Sequence, residues 1–209
     1  MIDIGFEWTR GRTYECVPSA NDKAVRVIRQ VGRGRDNFRP LEIKRSSKPY
    51  LEFANLDGSP EKCIAFASTF GLLTLPARTG AEERLNFWQR EIKKMKGSIA
   101  MFDATSDRPG GILRTVASRR VNAKMASIDV WLECPDPNAR PVLVWKPHSL
   151  LDAMLLQLAQ TIAGSGSIHI CKQCGNFFEA GSNEGRRSIA VFCTESCKNR
   201  HHYQRRAGK

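Results

Sequence analysis

Apolar and polar positions along the chain set out a series of short strands followed by three clear helices. From Phe6 to Ile43 the apolar stretches are brief and β-branched, as in Ala24-Val25-Arg26-Val27-Ile28, and Gly32 and Gly34 interrupt them, which predicts two or three strands. Ser59-Pro60-Glu61 then reads as a helix start, with Ser59 at the N-cap and Pro60 at the first helical position. Cys63, Ile64, Ala67 and Phe70 follow at helical spacing, and Gly71 is the natural stop. A second helix is expected from about Ala81 to Met101, with Leu85, Trp88, Ile92 and Met95 on one side, Glu82 and Glu83 favouring its N-terminus, and Gly97 as a possible early end.

Asp107-Arg108-Pro109-Gly110-Gly111 is turn chemistry. Beyond it, Lys124 to Cys134 and Pro141 to Trp145 read as two strands joined through Pro135-Asp136-Pro137-Asn138 into a hairpin. The third helix is the clearest. Ser149 and Asp152 form a capping box, Leu150, Leu151, Met154, Leu155, Leu158 and Ile162 make an apolar face, and Gly164 ends it. Gly164-Ser165-Gly166-Ser167 has the composition of a linker. The pattern predicts an α+β chain: a mixed α/β N-terminal domain over 1–163, a linker over 164–167, and a small C-terminal module over 168–209.

That last segment carries four of the seven cysteines as Cys171-x2-Cys174, an 18-residue gap, and Cys193-x3-Cys197. Two closely spaced pairs are the layout of a structural zinc site, in which four thiolates close a tetrahedron around one ion. Gly175 lets the first pair sit on a tight knuckle, and the second pair, four apart, falls on one side of a first helical turn. Phe177, Phe178, Ile189, Val191 and Phe192 flank a polar turn at Gly181–Gly185 and are expected to form a small hairpin over the metal. Knuckle, hairpin and helix make the treble-clef order. A module with so few apolar residues needs the ion for its stability. A filled coordination sphere leaves no position for a catalytic water, which argues against zinc catalysis. Cys16, Cys63 and Cys134 are scattered among apolar neighbours and read as small hydrophobes, and an odd number of cysteines speaks against a disulfide framework. Substitution of His201 or His202 for Cys197 as the fourth ligand is the alternative site.

The chain of 209 residues holds 33 Lys and Arg against 21 Asp and Glu, a formal charge of +12. Such a balance points to a polyanionic partner. Residues 171–209 contain eight basic residues and three acids. Lys198, Arg200, Arg205 and Arg206 fall on the predicted terminal helix with His201, His202 and Tyr203 among them, and Arg186 and Arg187 lie in the preceding segment, a set suited to phosphate contacts with some stacking. A second basic stretch, Arg26 to Lys48, has eight cations and only Asp36 and Glu42 as acids. Its glycines fit neither a dinucleotide fingerprint nor a P-loop, so no nucleotide cofactor is expected. No signal peptide or 18-residue apolar run occurs, and the expected location is the cytoplasm.

Cys193-Thr194-Glu195-Ser196-Cys197-Lys198-Asn199-Arg200 resembles the C-x3-C-G-N-R element of the bacterial CGNR zinc fingers, with Lys198 in place of the glycine. Glu52-Phe53-Ala54-Asn55-Leu56, Phe66-Ala67 and Gly71-Leu72-Leu73 are similar to the α/β domain that precedes this finger in such proteins. They are described as transcription regulators, some of them stress-induced, so the resemblance implies a DNA-binding role for the finger. The leading expectation is a bacterial regulator that binds double-stranded DNA through the finger and dimerises or senses a signal through the N-terminal domain. Two other readings stay open: a zinc-stabilised module that binds protein or RNA in a defence or toxin system, and a treble-clef nuclease using His148, His201 or His202.

Overall fold

The computed structural model describes residues 3–4, 8–32, 38–41, 47–76, 78, 80–102, 122, 128–134, 140–164, 167–181 and 189–207. Ten strands and five helices are assigned among them. The strands are β1 (Asp3–Ile4), β2 (Trp8–Gly11), β3 (Thr13–Pro18), β4 (Arg26–Val31), β5 (Phe38–Leu41), β6 (Glu82–Arg84), β7 (Asp129–Glu133), β8 (Val142–Lys146), β9 (Ser167–Ile170) and β10 (Phe177–Ala180). The helices are α1 (Pro49–Ala54), α2 (Pro60–Phe70), α3 (Leu85–Ala100), α4 (Leu150–Ala163) and α5 (Glu195–Ala207). The fold class is α+β, as expected. Among the described residues no helix is long and apolar enough to cross a membrane.

Two small sheets are built from the basic N-terminal part. β3, β4 and β6 form an antiparallel sheet in the order β3-β4-β6, and β2 pairs antiparallel with β5. The first half of the chain thus contains four strands between Trp8 and Leu41, one more than the upper expectation, because the short run Trp8–Gly11 finds its partner far along the chain at Phe38–Leu41. β8 pairs antiparallel with β7, as the predicted hairpin requires, and parallel with β1. The turn sequence at 107–111 and the connection at 135–138 lie outside the described residues.

The core forms where α2 and α3 pack on β4 while α1 lies against α2, α3 and α4. Phe53, Phe66, Phe70 and Trp88 are the aromatic centre, with ring centroids 5.2 Å apart for Phe53 and Phe66 and 4.7 Å for Phe66 and Phe70. Trp88, Phe53, Leu72, Leu73, Ile99, Leu150, Met154 and Leu158 are fully buried, and Ile28 closes the sheet side. Burying a set of this size is the main source of stability for a body of these dimensions.

Helix termini explain where the elements stop. α2 begins at Pro60, but the Ser59 hydroxyl donates to Asp57 Oδ1 at 2.7 Å and does not cap the helix. At its other end Gly71 has φ +97°, a conformation side chains disfavour, and the guanidinium of Arg10 on β2 donates to the Thr69 carbonyl. A cation at a helix C-terminus answers both the orphan carbonyls and the dipole. α3 starts at Leu85, four residues later than its expected start near Ala81, and runs past Gly97 to Ala100. Glu82 and Glu83 are therefore strand residues of β6. Glu82 pairs with Arg29 at 2.7 Å, while the buried Glu83 accepts from the Leu73 and Thr74 amides, the Thr74 hydroxyl and Trp88 Nε1. α4 conforms to its sequence signature: Ser149 Oγ accepts from the Asp152 amide at 3.1 Å and donates to the Asp152 carboxylate at 2.7 Å.

Candidate metal centre

β9 and β10 form an antiparallel hairpin in register Phe177↔Ile170, Phe178↔His169, Glu179↔Ile168 and Ala180↔Ser167. Strand alternation then sorts the residues onto two faces. Ile168, Phe177 and Glu179 face the main core, where Ile168 and Phe177 join the large hydrophobic cluster. Ser167, His169, Cys171, Phe178 and Ala180 share the opposite face, and Cys171, Phe178 and Ala180 form a second cluster with Ala190, Phe192, Cys193 and Cys197. Ser167, placed in a linker by composition, is the first residue of β9; residues 165 and 166 lie outside the described set.

The first cysteine pair sits in the turn of this hairpin. Cys171 N–H donates to the Asn176 carbonyl at 2.9 Å, Gly175 N–H donates to the Cys171 carbonyl at 2.9 Å, and Gly175 takes φ +74° to close the knuckle. This corrects the expected hairpin. Phe177 and Phe178 pair with the strand upstream of the knuckle, and residues 189–192 carry no strand, Ile189 being 78% exposed. The downstream segment is instead tied down by one bond, Lys172 N–H to the Val191 carbonyl at 3.0 Å. Phe192 packs into the cysteine cluster.

The second pair brackets the start of α5. Cys193 precedes the helix and Cys197 lies in its first turn, where Thr194 Oγ1 accepts from the Cys197 amide at 3.1 Å as an N-cap. The four Sγ atoms of Cys171, Cys174, Cys193 and Cys197 lie within 4.8 Å of one another, close enough to hold one metal ion. Cys174 and Cys193 Sγ are 3.6 Å apart, and Cys193 and Cys197 Sγ are 3.5 Å apart.

The electrostatics of the set call for a cation. Burial pushes the Cys171 thiol up, but the amides of Cys193, Cys174 and Gln173 and the Cys174 side chain outweigh it and bring Cys171 down to about 6. Burial and the neighbouring thiols of Cys197, Cys171 and Cys174 push Cys193 up to about 12, and burial raises Cys174 as well. Charging all four needs a shared positive ion.

Of the other residues singled out from the sequence, Lys198, Arg200, Arg205 and Arg206 are exposed on α5, with Lys198 Nζ 3.0 Å from Glu195. His201 is half-buried with its ring centroid 5.1 Å from that of Phe192, so it supports the helix from the metal side. His202 is exposed, 6.2 Å from Phe192. Arg186 and Arg187 lie outside the described residues, as do Arg33, Arg35, Lys44 and Arg45 of the second basic stretch. Within that stretch Arg26 donates to the Cys16 carbonyl, Arg29 pairs with Glu82 and Lys48 with Glu179, so these three charges are engaged inside the chain. His148 lies 3.2 Å from Asp129 at the β7–β8 hairpin.

Sequence reasoning missed Glu179 and Asn55, which join the cysteine module to the body. The buried Glu179 carboxylate accepts from the Tyr50 and Thr161 hydroxyls and pairs with Lys48 at 2.8 Å. It also missed the buried His169, whose Nε2 lies 2.8 Å from the Ser167 hydroxyl, itself 3.1 Å from the Ala180 carbonyl. No signal short of the strand pairing would have found them.

The fold and site define an α+β protein with a four-cysteine metal-site module at its C-terminal end. No match to this chain was found among protein-family models, curated proteins or solved structures.

Proposed function

We propose that the cysteine module holds one structural Zn2+ and presents α5 to double-stranded DNA, making the chain a zinc-finger DNA-binding protein of the transcription-regulator kind. A Zn–S bond of about 2.3 Å gives a tetrahedron with edges near 3.8 Å. Two of the sulfur separations, 3.6 and 3.5 Å, fit such an edge after a small adjustment, and the rest lie within 4.8 Å. An all-thiolate donor set favours zinc over harder ions. Zinc would supply the folding energy of the module and nothing in the way of bond chemistry, since four sulfurs fill its sphere.

The observation that carries the nucleic-acid reading is the junction of this closed site with α5. Cys197 fixes one side of the helix against the cluster, and the exposed Arg200, Arg205 and Arg206 carry three cations with no ion pair among the described residues. Their charge is available to phosphates, and the module's likeness to CGNR fingers points the same way.

Fluorescence anisotropy of the zinc-loaded full chain on a labelled duplex tests this. Binding is expected at low salt, weakening log-linearly as salt rises with a slope set by the phosphates neutralised. Arg200→Ala and Arg205→Ala together should reduce that slope by about two. Absence of duplex binding at about 50 mM salt, where phosphate contacts are strongest, would reject the proposal.

A further inference from the structure

The geometry points to Asn199 and Arg206 as the base-reading pair of α5: lying in the major groove, the helix sets Asn199 on an adenine edge and Arg206 on a guanine edge about three base pairs away. This rests on the duplex-binding reading above and adds to it which side chains carry sequence and which carry affinity alone.

The inward side of α5 is fixed by three contacts. Cys197 belongs to the metal cluster, His201 one turn later lies against Phe192 at 5.1 Å, and Gln204 accepts from Gln173 Nε2 at 3.1 Å. At 100° per residue, the stripe opposite these positions is Asn199, His202 and Arg206. All three are exposed. The flanks are Lys198 and Arg205 on one side, Arg200 and Tyr203 on the other. A helix seated on its outward stripe in the major groove therefore places cations along both walls, at the height of the phosphates, and its stripe residues at the floor.

The stripe residues are chemically suited to the floor. An Asn amide offers one acceptor and one pair of donors, the complement of adenine N6 and N7, and a guanidinium fork matches guanine O6 and N7. Asn199 and Arg206 have no hydrogen-bond or ion-pair partner among the described residues, so neither must break a bond to reach a base. Lys198, by contrast, is already paired with Glu195 at 3.0 Å. Positions seven apart on a helix are separated by about 10.5 Å, or about three base-pair steps of roughly 3.4 Å. His202 lies between them, its ring 6.0 Å from His201, and covers the middle of the footprint.

Selection from a pool of random duplexes by the zinc-loaded full chain is the test, repeated with Asn199→Ala, Arg206→Lys and Arg205→Ala, with zinc content per chain confirming that each variant is folded. The wild-type pool should enrich an adenine and a guanine about three base pairs apart. Asn199→Ala should lose only the adenine column and Arg206→Lys, which keeps the charge, only the guanine column, each weakening the selected site roughly 5- to 150-fold. Arg205→Ala should weaken selected and unselected duplexes alike and leave the enriched sequence unchanged. Duplex binding without an enriched sequence, or an enriched sequence that survives both stripe substitutions, would overturn the assignment while leaving the duplex-binding reading in place. Failure of the wild type to retain any duplex would overturn both.

Discussion

Asn55 and Phe177 hold each other through two reciprocal hydrogen bonds: Phe177 N–H donates to Asn55 Oδ1 at 2.8 Å, and Asn55 Nδ2 donates to the Phe177 carbonyl at 3.0 Å. The side-chain amide at the C-terminal end of α1 thus does for the first residue of β10 what a neighbouring strand would do. Asn55→Ala leaves a half-buried N–H and C=O without partners and should cost about 2 kcal/mol in denaturant unfolding. Asn55→Asp keeps the acceptor but turns a second oxygen toward the carbonyl. It should be at least as destabilised at neutral pH and recover part of the loss below about pH 4, where a protonated carboxyl can donate.

Acid should act through Glu179. Burial pushes its carboxyl up, but Lys48 and the Tyr50 and Thr161 hydroxyls outweigh that and hold it below its ordinary value. A depressed folded-state value means the stabilisation is fully present above the unfolded-state value of about 4.3 and is lost as pH falls through the folded value. Glu179→Gln should therefore be about 2 kcal/mol less stable at pH 7, with the gap closing below about pH 4. Urea midpoints of the two proteins across that range measure it. Both lose protons from the same cysteines, so the difference isolates the carboxylate, and a gap independent of pH would refute the assignment.

Metal binding should be stoichiometric and proton-linked. One equivalent of Zn2+ per chain is expected, lost on serine substitution at any of Cys171, Cys174, Cys193 or Cys197 and kept in Cys16→Ser and Cys134→Ser. Above pH 7 Cys171, brought down to about 6, is already ionised, whereas Cys193, pushed up to about 12, holds its proton until the ion arrives. Binding near pH 7.5 should therefore release protons, that of Cys193 among them, and tighten as pH rises, read by calorimetry in buffers of different ionisation enthalpy.

Glu83 should be among the most sensitive single positions in the body. Four donors converge on its buried carboxylate, including the Thr74 amide at 2.6 Å and Trp88 Nε1 at 2.8 Å. Glu83→Ala strands all four and should cost about 3 kcal/mol or more, with a change in Trp88 fluorescence. Glu83→Gln, which still accepts but turns donors toward donors, should fall between alanine and wild type.

What was legible in the sequence follows the range of the interactions. α2 and α4 could be read because their apolar spacing, Pro60, Ser149 and the closing glycines are local signals. The metal set could be read because two cysteine pairs at that spacing suit one kind of chemistry. Glu82 and Glu83 were misplaced because acids ahead of Leu85 look like a helix N-terminus, whereas their partners, Arg29 and Trp88, belong to other elements. The hairpin was assigned to the wrong side of the knuckle for the same reason: nothing in Phe177-Phe178 tells whether the partner strand lies before or after the cysteines. Asn199 stood in the finger-like motif but not among the contact residues because it is uncharged, and only the placement of Cys197, His201 and Gln204 on the inward side gives its direction.

The two-faced hairpin of β9 and β10 bears on how the protein can be taken apart. Ile168 and Phe177 are built into the body while Phe178 and Cys171 line the metal side, so a chain severed near residue 167 would expose the body's seam on one fragment and a matching apolar strip on the other. The cysteine module resembles a keystone more than a pendant. The hairpin inherits its footing from the rest of the molecule, and fragments made to isolate the module would have to be resurfaced along that strip before they could stand alone.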